Sequence, residues 1–381
     1  MGLSVYDFQL MVFAIDNSKF EPLGELNQFS SVIWPKAYQK FSEFELWAPI
    51  TEENNGYFKP GNVIWKKGTD EAVVIEIVEP QIDDVGNKNY SIRGRTIECY
   101  LCSRIIWKTY NAQDKKASTV IYEIVNSNCI NTSDSKRKIP YLEIANDPQI
   151  GEVISYQSTG AEVYDAINEI AEETNLGFKI AFDPINKKMR FMIYQGVDRT
   201  INQSSNTQAV FSSDTEDVLQ SSYYMNTQDY KSMALVAGEG EGKDKKYQEA
   251  GNKASSGFLR KELFVDAKSL RSKTANSAGE EVVVSAEEYG KMLIQKGEES
   301  LSRFKVSESF DAAIRSDINA HNKLGVDYNL GDLVTVIDNQ LNVIVSARIT
   351  EITESVNENY SLDVVFGYGY PTIFEKMKRT T

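Results

Sequence analysis

Residue types that could do chemistry are scarce in these 381 residues, which hold three Cys and one His. Cys99 and Cys102 form a C-x-x-C pair. A closed zinc site takes four ligands. Here it would need Cys99, Cys102, Cys129 and His321 together, gathered from more than 200 positions. A thioredoxin-type pair stands at a strand-to-helix turn in a βαβ context, which the surrounding pattern lacks. The thiols therefore read as small buried hydrophobes, and their odd number argues against a disulfide framework. His321 is the one base available to a Ser-His-Asp triad, and no nucleophile elbow accompanies it. It reads as a structural or surface residue.

Two further patterns resemble sites and fail on spacing. MALVAGEGEGKDKK is a strand followed by Gly238, Gly240, Gly242 and Lys243. A phosphate-cradling loop needs Gly, four residues, then Gly-Lys-Ser/Thr. The first Gly position is Ala237, and Lys243 is followed by Asp244. The dinucleotide fingerprint would need a third Gly where Lys243 stands. A Gly-rich strand end and loop is the simpler reading. Glu76 with Glu79, or Asp214 with Glu216, could be imagined as glycosidase pairs. With 55 acidic residues, such pairs arise everywhere by chance. EF-hand, H-E-x-x-H and C2H2 patterns are missing. No metal, cofactor or catalytic residue is expected.

The elements that would position any site are mostly strands. Phe8, Leu10, Val12 and Ala14 alternate with Gln9, Met11, Phe13 and Ile15, so both faces are largely apolar. Such a strand is covered on both sides or sits at a subunit contact. Phe44 and Leu46, then Val73, Ile75 and Ile77, then Tyr90 and Ile92 continue the period of two, with a turn at Asp83-Asp84-Val85-Gly86-Asn87. Several such strands in a short span indicate a small barrel or sandwich. TIECYLCSRII then reads as a short helix. Residues 118–128 predict a helix with Ser118 as N-cap. A second helix is expected over 161–174, stopped by Asn175-Leu176-Gly177. Strands through Phe178–Phe182 and Met189–Tyr194 flank a turn at Asp183-Pro184-Ile185-Asn186. A third section begins near Ala209, with strands at 232–237, 333–338, 343–352 and 360–366. It is interrupted by a basic loop and a helix from Ser285 to about Phe304. Ser285 and Glu288 make a capping box for that helix.

The expected fold class is α+β and β-rich. The domains are 1–108, an N-terminal β-barrel-like domain; 109–205, an α+β module; 206–240 with 305–375, a second β-barrel-like domain; and 241–304, an insertion with the basic loop and the amphipathic helix. A chain of this length buries enough surface to need no disulfides or metals. The net charge of −14 argues against a sequence-independent nucleic-acid binder, which gains affinity through Lys and Arg. The segment Lys243–Lys273 departs from this balance, with nine Lys and Arg against four Asp and Glu. It reads as a solvated loop, with docking of an acidic partner as the alternative. The opening MGLSVYDFQLMVFAID lacks a basic n-region and contains Asp7, so no signal peptide is expected. Apolar runs are too short for a membrane-spanning helix.

Three stretches together resemble the tail-hub (baseplate hub or tail-tip) proteins of siphophages, which are related to the N-terminal domain of phage tail-associated lysins. FMIYQGVDRT, residues 191–200, resembles that family's signature through Tyr194, Gly196, Asp198, Arg199 and Thr200. The GEGEG of Gly238, Gly240 and Gly242 follows, with Leu263-Phe264-Val265-Asp266 beyond it. YNLGDLVTVID, SARITEITESV and YSLDVVFGYGYPT resemble the family's final strands, through Gly331, Asp332, Arg348, Glu351 and Gly367. Where the family often has an Arg after GEGEG, Lys245 and Lys246 stand here. No peptidase or muramidase domain follows the last strands, so lytic activity is not carried over.

The resemblance implies a non-enzymatic virion protein at the tail tip or baseplate, made in the host cytoplasm. Two related β-barrel-like tube domains would form a homotrimeric, pseudo-six-fold ring. The ring would join the six-fold tube to three-fold tip or fibre proteins and let double-stranded DNA pass. Its neighbours would be the distal tail protein ring, the tape-measure protein and a fibre or receptor-binding protein. The motif residues would be structural, with Gly196 and Gly367 permitting turns or close backbone approach, and Asp198 and Arg199 capping a turn or pairing across a junction. Two alternatives stand beside this. One is a tail-tip endopeptidase or glycosidase. The other is a carbohydrate-binding module, which exposure of Trp34, Trp47, Trp65 or Trp107 on one face would favour.

Overall fold

The computed structural model describes residues 8–82, 86, 88–215, 217–275, 281–314, 320–339 and 343–367. Residues 1–7, most of the turn expected at Asp83–Asn87, Glu216 and the terminal YGYPT stretch lie outside these.

The N-terminal strands are β1 (Leu10–Ile15), β2 (Phe20–Leu26), β3 (Ser31–Ala37), β4 (Glu43–Pro49), β5 (Val63–Lys66), β6 (Ala72–Ile82) and β7 (Lys88–Thr96). The short helix expected next spans Ile97–Ser103 and is wound as a 3-10 helix. Then follow β8 (Tyr110–Lys116), α1 (Ala117–Val125), β9 (Leu142–Ile144), β10 (Val153–Ser158), α2 (Val163–Thr174), β11 (Gly177–Asp183) and β12 (Lys188–Tyr194). The remainder is β13 (Val210–Ser212), β14 (Val218–Asn226), β15 (Met233–Ala237), β16 (Tyr247–Gly251), β17 (Glu262–Asp266), β18 (Lys273–Ala275), β19 (Glu281–Val283), α3 (Ala286–Ser302), β20 (Ser307–Ile314), β21 (Leu333–Asp338), β22 (Val343–Val356) and β23 (Tyr360–Gly367).

The fold is α+β and β-rich, with mainly antiparallel sheets, and none of these sheets closes into a barrel. One thirteen-stranded sheet runs β14-β20-β23-β22-β3-β4-β7-β6-β5-β1-β2, with β21 and β13 joined to it through β22. The two β-rich halves are thus joined edge to edge in one hydrogen-bonded path. Strand β22, fourteen residues long, is the reason: its first part pairs β21, and Glu351–Val356 pairs Val32–Ala37 of β3. A strand that long outruns one partner and pairs with strands of both halves.

The apolar faces of β1 explain its position. Leu10 and Val12 enter a core with Trp34, Phe44 and Leu46. Phe13 enters a second core with α1, α2, β11 and β12. The strand is therefore covered on both sides, as its two apolar faces require. A third core lies between β13, β21, β22 and β23. A fourth holds α3 against Ala234, Val236 and Ala250.

Helix ends are set by local chemistry. In α3 the expected capping box forms, with Ser285 Oγ accepting from Glu288 N–H and Glu288 reaching back to Ser285 N–H. In α1 the expected N-cap does not. Lys116 occupies that position, while Ser118 is buried and donates to Asp147. After Val125 this helix widens into a π turn over Asn126–Ile130. Helix α2 ends on Asn175 at φ 54°, the left-handed residue common at helix C-termini. The basic segment is also more ordered than expected, because β16 and β17 lie within it and flank β15.

Candidate functional site at the junction of three modules

Strand β3 ends at Ala37, and the next side chain, Tyr38, is fully buried. A buried phenol needs a partner for its O–H. Tyr38 Oη donates to the carbonyl of Asn175 at 3.0 Å and accepts from Gly196 N–H at 3.3 Å. Its backbone N–H donates to Thr350 O, and its carbonyl accepts from Phe178 N–H. One residue thus links the ends of β3, α2 and β12 to β11 and β22. Burial pushes its hydroxyl pKa upward, so it stays protonated and donating.

Glycines make the room. A Cβ on Gly177 would lie 2.2 Å from the Tyr38 ring, and one on Gly331 would lie 2.3 Å from it. Gly331 also sits at φ 90°, which disfavours other residues. A Cβ on Gly196 would fall 1.7 Å from the Gly331 carbonyl oxygen, so two backbones touch there. Arg348 closes the far side, its guanidinium 5.3 Å from the Tyr38 ring centroid and bonded to the Gly331 carbonyl.

Asp332 fastens the crossing from β12 to β13. Its buried carboxylate accepts from Val197 N–H, Arg199 Nε and Asn329 N–H at 2.8, 2.8 and 2.9 Å. Asp198 folds back to accept from Thr200 N–H, an Asx turn, and Thr200 is buried. Glu351 pairs with Lys40 at 2.8 Å. Gly367, at φ 90°, lines a small cavity with Arg348 and Asn175. The structure thus gathers Tyr194, Gly196, Asp198, Arg199, Thr200, Gly331, Asp332, Arg348, Glu351 and Gly367 around one junction. It does not bring Gly238, Gly240 and Gly242 there. Those lie on the insertion, where Gly238 leaves space for Tyr289 and Leu293 of α3. The Tyr289 hydroxyl then accepts from Glu239 N–H and donates to Leu270 O.

Beside the junction lies a charge network with no sequence signature. The register of β22 against β23 shifts between Ile349 and Glu351. Ile349 faces the core before the shift, and Ile352, Glu354 and Val356 face inward after it. Glu354, 2% exposed, therefore occupies a core position. Lys66 pairs with it, and Tyr360 donates to it. Lys36 reaches Glu71 at 2.6 Å, and Trp34 Nε1 donates to Glu71 at 2.9 Å. Burial alone would raise the Glu71 carboxyl, but Lys36 and Lys66 hold it down at about 2.

A cavity of about 480 Å³ opens here, lined by Lys36, Lys40, Asp70, Glu71, Lys179 and Tyr194 among others. Its lysines are paired, Lys36 with Glu71, Lys40 with Glu351 and Lys179 with Asp70, while Glu98 accepts from Ile180 N–H and burial raises its carboxyl pKa. That arrangement ties β3, β6, β11 and β22 together. Among the described residues no cluster of His, Cys, Asp and Glu could hold a metal. Burial pushes the Cys99, Cys102 and Cys129 thiols up to about 12, far from a reactive thiolate. Glu76 and Glu79 pair with Arg95 and Arg93, so their proximity reflects cross-strand ion pairing. His321 contacts Asp217 at 3.1 Å, and neither lines the cavity. Trp34 is buried, Trp47 and Trp65 are half-buried, and Trp107 alone is exposed, so the four form no shared sugar-binding face.

A family model for the Siphovirus ReqiPepy6 Gp37-like protein matches residues 10–368. The chain belongs to this family. The Gp37-like fold is shared with solved tail proteins. A 43 kDa tail protein of prophage MuSo2 from Shewanella oneidensis superposes with TM-score 0.58 at 12% identity, covering 94% of this chain and 98% of that one. A tail protein from Neisseria meningitidis gives 0.53 at 12% identity, covering 95% and 96%. Prophage tail protein gp18 from Listeria monocytogenes gives 0.50 at 11%, covering 98% of each. No curated protein matches the sequence. At such identities what is shared is the fold, carried by packing more than by particular side chains.

Proposed function

We propose that this Gp37-like protein is the non-enzymatic hub at the distal end of a phage tail tube. Three copies form a pseudo-six-fold ring in the virion, between the six-fold tube and a three-fold tip or fibre. The distal tail protein ring, the tape-measure protein and a fibre or receptor-binding protein are its neighbours, and DNA passes through it. The observation that carries this reading is the likeness to prophage tail proteins over nearly the whole of both chains. The junction supports it as well. Ten motif positions from distant parts of the sequence serve to hold modules rigidly together, as a load-transmitting ring subunit requires. A trimer would carry −42 formal charges, three times −14, and acids facing a lumen would repel DNA phosphates and keep the genome sliding.

Sedimentation with electron microscopy of the purified protein tests this directly. The expected result is a three-fold ring with an open channel, formed at high concentration or with the tail partner present. A protein that stays monomeric under every assembly condition overturns the reading. Release of fragments from purified peptidoglycan would replace it with the hydrolase.

A further inference from the structure

Trp107 stands apart from the other three Trp. Trp34, Trp47 and Trp65 each donate the indole N–H to an oxygen, of Glu71, Glu45 and the Thr69 carbonyl. Trp107 is 63% exposed, and its indole N–H has no acceptor among the described residues. Its place is nonetheless fixed. Its backbone N–H donates to Asn128 Oδ1 at 3.2 Å, and Asn128 sits in the π turn over Asn126–Ile130. The Arg137 guanidinium lies 5.0 Å from its ring centroid. Arg137 is held in turn: its Nη2 donates to Ile105 O at 2.7 Å, and its carbonyl accepts from Arg104 Nε at 2.5 Å. It ends a 3-10 turn over Ser135–Arg137, which Asp134 caps by accepting from Lys136 N–H.

Lys136 and Lys138 are exposed on either side of Arg137 in the chain, and Lys108 is exposed next to Trp107. Among the described residues none of these cations pairs with a carboxylate, whereas Lys115, Lys188 and Arg190 do. With Arg104 they outnumber the nearby acids, Asp134 in the turn and Glu162 opposite Ile105, so the patch is net positive. Its ammonium, guanidinium and indole groups only donate, and their complement is an acceptor-only group, a carboxylate or a phosphate. Two features favour carboxylates on a protein. The Trp107 ring and Ile105, 41% exposed, give the patch an apolar centre, and Trp with Arg is the pairing enriched at the centres of protein interfaces. A long phosphate polymer would run on past a chain of net charge −14, whereas a short acidic segment feels charges only within a Debye length of about 8–10 Å.

We infer that the patch around Trp107 and Arg137 is a docking site for an acidic segment of a partner protein, one that also carries an apolar side chain to pack on the Trp107 ring. The site is complete on one copy and does not depend on ring formation. The test is fluorescence anisotropy of a short fluorescein-labelled peptide rich in Asp and Glu, with Leu at intervals, titrated with the full chain. The expected result is saturable binding that weakens as salt is raised, with a shift in Trp emission, since Trp107 alone of the four Trp is exposed. Trp107→Ala and Lys136→Glu/Lys138→Glu should each weaken binding about tenfold or more. These side chains are exposed, so the fold is retained, which a circular-dichroism melt checks. Wild type that does not bind the peptide overturns the inference. So do variants that bind as wild type does, because the peptide then sits elsewhere. Equal binding of a peptide with Gln and Asn in place of its acids would reduce the patch to apolar adhesion and also overturn it. If single-stranded oligothymidylate binds more tightly than the peptide at about 0.15 M salt, and the same variants lose it, the patch serves nucleic acid and the inference falls.

Discussion

The junction around Tyr38 and the outer face of the insertion sheet spend their aromatic residues in opposite ways. At the junction, Tyr38 is buried, its hydroxyl bonded, and its ring wedged between glycines. On the insertion, Phe258 and Phe264 stand in water. The junction is complete within one chain: each charged group named there has an ion-pair or hydrogen-bond partner, and each close approach has its glycine. The insertion face is open: its apolar side chains gain no burial within the chain. The comparison separates what the fold needs for itself from what it leaves open. Substitutions at the junction should act on stability, and substitutions on the face should leave it nearly unchanged.

The largest effect is expected at Glu354. Replacing it with Ala leaves Lys66 half-buried without its main counter-charge, and breaking such a pair costs about 3–5 kcal/mol. Replacing both partners, Glu354→Leu with Lys66→Met, should cost less than the single change. Chemical denaturation of the three proteins checks this. A double variant worse than the single one would mean that Glu354 acts through Tyr360 or Lys36 instead.

Next is Gly196→Ala. The added methyl would overlap the Gly331 carbonyl, and backbone on both sides has nowhere to move without disturbing Asp332. A loss of about 3 kcal/mol is expected, at the upper end for overpacking. The control is Gly61→Ala, where no atom lies within 4 Å of the added Cβ, so the loss reflects only the positive φ. Thermal melts that rank Gly61→Ala as the more damaging would show that conformational freedom, not close approach, governs these glycines.

The two regions also differ in how far the sequence discloses them. Alternation marked β1, β11 and β12, because a strand with an apolar face announces its period. Capping chemistry marked the start of α3 to within a residue. The DRT motif and Gly331-Asp332 were visible as a pattern, but their contact was not, since nothing in spacing brings position 199 to position 332. Tyr38 had no signature at all, being one Tyr in a polar stretch. Glu354 was hidden more deeply. In a strand of alternating residues a Glu reads as solvent-facing, and only the register shift in β22 turns it inward. Continuity between the two halves escaped for the same reason: a strand pattern gives faces, not partners. On the insertion the excess of Lys and Arg read as a loop, because charge masked the short strands β16 and β17.

A smaller, graded effect should come from the contact that holds the insertion to the body. Gln295 of α3 donates to Glu173 of α2 at 2.7 Å, while Lys296 and Arg303 reach Glu169. Glu299 is buried beside them. Burial, then the Glu299 and Glu169 charges, push the Glu173 carboxyl up to about 8. Between its ordinary 4.5 and about 8 the folded protein holds a proton that the unfolded chain has released. Its contribution to stability is therefore full below 4.5, declines as pH rises, and is gone above about 8. Glu173→Gln stays neutral throughout and removes that part of the decline. Melting temperatures of both proteins between about pH 5 and about pH 9 should diverge upward in favour of the variant. Parallel curves would mean that Glu173 is ionised in the fold and balanced by Lys296.

The smallest expected effect is the one that sharpens the contrast most. Phe264→Ser on the open face should leave the melting behaviour of the isolated chain within about 0.5 kcal/mol, as surface changes do. Its neighbour in sequence, Val265, points the other way, into the core under α3. Val265→Ser buries a hydroxyl in that core and should cost roughly 1–3 kcal/mol. Adjacent residues, one residue type introduced, and opposite outcomes isolate the face from everything else about the strand. Equal losses would show that the outer face is covered within the chain itself. The aromatic residues there would then belong to the fold, as those at the junction do.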